Sequence, residues 1–112
     1  MKSVRIVAKW DEDEAQSLVL VAAQDENGWI ADNVEMFGYV KDQDDDHKYV
    51  RYPFVAEKIS ERDAVLDWGA LDNTTATANL YGRRLVAGEK IQRIENREIY
   101  EYTIVSIVPF GS

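Results

Sequence analysis

The stretch Ile99 to Phe110 constrains this chain most, because β-branched and aromatic residues occupy both of its alternating faces. Ile99, Thr103, Val105 and Ile107 lie on one face, and Tyr100, Tyr102, Ile104 and Val108 on the other. A strand with two apolar faces belongs inside a sheet rather than at its rim. Shorter runs of the same character precede it. Ser3 to Trp10 sets Val4, Ile6 and Ala8 against Arg5, Val7 and Lys9, the alternation of a half-buried strand. Val34 to Val40, Tyr49 to Ala56, Thr77 to Tyr81 and Lys90 to Ile94 are further β-rich runs. Pro53 lies within the second of these and cannot donate a ladder hydrogen bond, so it predicts an edge or a bulge there.

Two segments carry helical spacing. In the first, Asp11 and Glu14 are placed as a capping box, and Ala15, Leu18, Val19 and Ala22 repeat at helical intervals. Leu20 would then point away from that face, and Asp25-Glu26-Asn27-Gly28 follows as a turn signal, which favours a strand and hairpin over residues 12–24. In the second, Ser60 can cap, Asp63 completes the box, and Ala64, Val65, Trp68 and Leu71 form one apolar stripe, so a helix is expected over about residues 60–71. With 112 residues, 46% of them hydrophobic, the chain suffices for one core. The expected fold is therefore α+β and mainly antiparallel β: a single globular domain, 1–112, with a curled or barrel-like sheet of five to seven strands and one helix packed on it.

Charge is segregated along the chain. Asp11 to Asp46 holds twelve carboxylates against the single cation Lys41, within a formal net charge of −8. Such a balance repels phosphate backbones and anionic lipids and favours cationic partners. A smaller basic group, Arg83, Arg84, Lys90, Arg93 and Arg97, accompanies Tyr81. If Lys90–Ile94 pairs with Arg97–Glu101 around a Glu95-Asn96 turn, Arg93 faces Glu98 and Lys90 faces Glu101, which uses up much of that group. Nucleic acid is accordingly disfavoured as a partner.

No catalytic motif survives a check of its spacing. Asp42, Asp44 and Asp46 match the first, third and fifth positions of a calcium loop, but His47 stands where glycine is needed and Pro53 where a bidentate Glu is needed. His47, the only histidine, sits among aspartates on a polar segment that neither excludes water nor fixes geometry. With no cysteine and few serines, a nucleophile with its base is hard to assemble. An acid in an apolar setting, such as Glu101 between Tyr100 and Tyr102, or Asp32 and Glu35 near Trp29 and Phe37, is the remaining candidate for reactivity. Gly82 and Gly88 lack the Lys-Ser or Lys-Thr of a phosphate loop. No cofactor or metal site is indicated.

These features describe a small non-catalytic interaction module of the inhibitor, immunity or adaptor type. Its acidic surface would dock on a basic protein through Asp42, Asp44, Asp45 and Asp46, flanked by the aromatic residues Tyr39 and Tyr49. The alternative is a small β-barrel ligand-binding domain or enzyme with an aromatic-lined pocket and one reactive carboxylate. A cytoplasmic setting is expected from the missing cysteines and the absence of an apolar leader, with no membrane span. Edge strands offer a route to a homodimer.

Overall fold

The computed structural model describes residues 1–69 and 75–109. Eight strands form a closed barrel in which each pairs antiparallel with its neighbours in the chain. They are β1 (Lys2–Trp10), β2 (Asp13–Gln24), β3 (Met36–Gln43), β4 (Tyr49–Lys58), β5 (Ala64–Asp67), β6 (Ala76–Ala78), β7 (Lys90–Glu95) and β8 (Glu98–Pro109). The ring closes where β1 pairs with β8, from Val4 opposite Pro109 to Trp10 opposite Tyr102.

The expectation of α+β with one helix and five to seven strands is therefore corrected: the described residues hold eight strands and no helix. Ser60 and Asp63 do form the hydrogen bond that a cap would form, with the Asp63 N–H donating to Ser60 Oγ at 3.0 Å. The Ile59 N–H donates to the Asp63 carbonyl at 3.0 Å, so the same local bonds close a tight turn between β4 and β5. Beyond that turn the period is two: Ala64 and Leu66 are buried while Val65 and Asp67 are not, and Trp68 packs edge-on against Phe54. Leu71, the last residue of the expected stripe, lies outside the described residues.

Residues 13–24 are strand, with Leu18, Leu20, Ala22 and Gln24 all buried on the inward face. The Asp25-Glu26-Asn27-Gly28 turn forms as expected, with Asp25 Oδ1 accepting from the Asn27 and Trp29 N–H groups. Pro53 sits where β4 has β3 on one side only, because pairing with β5 begins at Val55, so the missing donor costs nothing there. Gly38 in β3 lies opposite Leu20 of β2. A Cβ at Gly38 would stand 1.9 Å from the Val19 carbonyl oxygen, so no other residue fits.

The interior is filled by Ile6, Leu18, Leu20, Met36, Leu66, Ile91 and Ile104. One end is plugged by the β6–β7 connection, which buries Leu80, Tyr81 and Leu85 and is tied down by Gln24 Nε2 donating to the carbonyls of Gly28 and Leu85. The opposite end receives the β1–β2, β3–β4 and β7–β8 connections. Among the described residues no helix is long and apolar enough to cross a membrane.

Candidate functional site

At that second end the packing of apolar side chains gives way to a cavity of about 210 Å³, lined by Val40, Asp42, Tyr52, Trp68, Arg93 and Glu95. Strand alternation supplies these groups. In β7, Ile91 faces the core, and Arg93 and Glu95 follow it on the same face. In β3, Asp42 shares the face of the buried Val40, and in β4 Tyr52 shares that of the buried Phe54. Trp68 follows β5 directly and its ring stands 5.7 Å from that of Phe54.

Arg93 is the centre of the site. It is 4% exposed, the one buried cation among the described residues. Its Nε donates to the Tyr102 hydroxyl at 3.1 Å and its Nη1 to Glu95 Oε1 at 2.8 Å. Its guanidinium carbon lies 4.1 Å from the centre of the Tyr100 ring. Trp10 packs on the same ring, centroid to centroid at 5.9 Å. These contacts offset the cost of taking a guanidinium out of water, but they occupy only two of its three nitrogens. Nη2 donates to no described residue.

The tyrosines register the electrostatics of this end. Tyr100 donates to Glu98, and that bond, reinforced by burial, pushes its phenol up to about 12. Burial raises Tyr102 as well; Arg93 counters this, while Asp42 and Glu95 add to it.

The residues expected to form an acidic docking surface are divided between inside and outside. Lys41 to Gln43 are strand rather than loop, which turns Asp42 inward. Asp44, Asp45 and Asp46 form the β3–β4 turn, where Asp44 Oδ1 accepts from the Asp46 and Lys48 N–H groups at 2.9 Å. Tyr39 and Tyr49 point outward: Arg51 covers the Tyr39 ring, Lys41 covers the Tyr49 ring, and the Tyr39 hydroxyl accepts from Arg5. His47 occupies the turn with φ of 62°. Among the described residues no three His, Asp or Glu side chains converge as metal ligands.

The other candidate acids are placed elsewhere. Glu101 and Glu35 are exposed, and Asp32 pairs with Lys58 at 2.7 Å. That pair lies in a larger groove of about 560 Å³, together with Glu35, Glu57 and Tyr81, where the carboxylates are exposed and the one lining cation, Lys58, is already paired with Asp32.

Arg93, Glu95, Tyr52 and Trp68 were not singled out by the sequence as site residues. The expected β7–β8 register was also two residues short. The turn is Asn96-Arg97, both at positive φ, which sets Arg93 opposite Tyr100 and Lys90 opposite Thr103. The signal for Arg93 was its parity with Ile91, obscured because Ile94 offers an equally apolar opposite face. Comparison with protein families, curated proteins and solved structures finds no match.

Proposed function

We propose that this protein binds a small molecule in the open end of its barrel. The observation that carries this reading is Arg93, buried and only partly engaged on the wall of a cavity in an otherwise apolar interior. An ion pair inside a small barrel is seldom the most stable filling, since apolar side chains of similar volume often do as well or better. A cavity where apolar lining meets a few convergent polar groups is the usual form of a ligand site. Its size selects a compact ligand, because a cavity of about 150 Å³ already accommodates benzene. The outward charges Arg5, Lys9, Arg51, Glu57 and Glu101 support a barrel that works in water, in keeping with a cytoplasmic setting.

The test is a set of single-ring fragments, charged and neutral, titrated into the isotope-labelled protein. Saturable amide shifts confined to Asp42, Tyr52, Trp68, Arg93 and Glu95 are expected. A set that perturbs none of these residues at millimolar concentration would refute the reading.

A second reading keeps the acidic turns as a docking surface for a basic protein. It is favoured by one observation: the β1–β2 connection with Asp11 and Glu12, the start of β2 with Asp13 and Glu14, and the β3–β4 turn with Asp44 to Asp46 lie at the same end of the barrel, whereas Asp25 and Glu26 lie at the opposite end. It predicts salt-sensitive capture of a basic partner, lost when Asp44, Asp45 and Asp46 are replaced by Asn.

A further inference from the structure

We infer that the cavity selects a compact organic cation, an ammonium or amidinium carried on a flat ring, with Asp42 as its counter-charge. The inference rests on the ligand-binding reading above and specifies the chemistry of that ligand. Three charged groups line the cavity, two carboxylates and one guanidinium. Glu95 is engaged by Arg93 Nη1. Asp42 accepts one bond, from the neighbouring Gln43 N–H to Oδ1, and no described cation pairs with it. The lining is thus left with one uncompensated negative charge.

The neutral part of the lining suits the same ligand. Tyr52 and Trp68 offer aromatic rings, which attract cations and stack on flat rings. The described connections at this end carry Glu12, Asp44, Asp45 and Asp46 against Lys48 and Arg97, with Asp11 already paired to Lys90, so the opening is negative overall and favours cations over anions. An anionic ligand would have to approach through that field, compete with Glu95 for Arg93, and then lie beside Asp42. Arg93 Nη2, which donates to no described residue, is better matched to a neutral acceptor on the cationic ligand, such as a carbonyl or ether oxygen.

Three probes of one shape and different charge decide the point: benzamidine, benzamide and benzoate, each titrated into the full chain at low salt and followed by amide shifts. Benzamidine is expected to bind at the cavity residues at least tenfold more tightly than benzamide, with benzoate weaker still. Asp42→Asn is expected to weaken benzamidine tenfold or more and to change benzamide by far less. Benzoate binding as tightly as benzamidine overturns the inference, and so does a benzamidine affinity indifferent to Asp42→Asn in a variant whose remaining amide spectrum is intact. The comparison among probes on the unaltered chain does not depend on that variant folding. If neutral fragments occupy the cavity and benzamidine does not, only the charge assignment falls; if nothing occupies it, the ligand-binding reading falls as well.

Discussion

Arg93 holds several partners at once, and its replacement separates what packing contributes from what charge contributes. Arg93→Ala leaves the Tyr102 hydroxyl and Glu95 without their donor and opens a void beside Tyr100, a loss of about 3 kcal/mol by the usual cost of breaking a buried pair. Arg93→Met refills the space with an apolar chain, and Glu95 can turn to the water it already touches, so urea unfolding should show a smaller loss, by at least about 1 kcal/mol. Tyr100 gives a pH signature. Its folded pKa of about 12 lies above the ordinary 10.0, so its contribution to stability is complete below pH 10 and is lost as pH rises from 10 through 12. Glu98→Gln removes the main cause, and ultraviolet titration of phenolate should then show one tyrosine ionising nearer to pH 10. Little of this was legible at the level of single residues. Arg93 in sequence is one of five cations near the end of the chain, and only the partner strand reveals that it faces inward.

At the level of elements, the sequence marks strands well and their ends less well. The β1, β3, β4, β7 and β8 runs appear where the β-rich stretches place them, although in β7 and β8 both faces carry apolar residues and the sequence does not say which face turns inward. The four residues of β5 are too few to separate a period of two from one of 3.6, and the turn before them uses the same Ser60 and Asp63 groups that would cap a helix. Turn geometry makes a direct prediction. Asn96 and Arg97 have φ of 51° and 67°, a conformation in which the second position favours glycine. Arg97→Gly should raise stability by about 0.5–1 kcal/mol, read as a higher midpoint in thermal unfolding. Gly38→Ala should do the opposite. The added methyl meets the Val19 backbone, so β2 and β3 must separate, at a cost of about 3 kcal/mol or failure to fold.

For the whole molecule, the eight-strand meander explains how one stretch of sequence charge becomes two. Connections alternate between the ends of the barrel, so Asp11 to Glu14 and Asp44 to Asp46 gather at the cavity end while Asp25 and Glu26 go to the plugged end. Segregation along the chain was legible; its division between the two ends follows from the up-and-down order of β1 to β4. Ring closure also limits association through sheet edges, since each of the eight strands has a paired neighbour on both sides over part of its length, and unpaired backbone is confined to segments that run past a shorter neighbour, such as the first half of β4. The same closure sets Val4 beside Pro109, at the end away from the cavity. A barrel built only from neighbouring strands has no privileged starting strand, so the chain can be treated as a circle cut at one arbitrary point. Linking the two ends through a short Gly-Ser segment and cutting instead between Asn96 and Arg97 should give a permuted protein that unfolds in one transition, as circular dichroism would show. Cargo attached beside Lys2 or Pro109 would hang from the floor of the cup and leave its mouth facing solution.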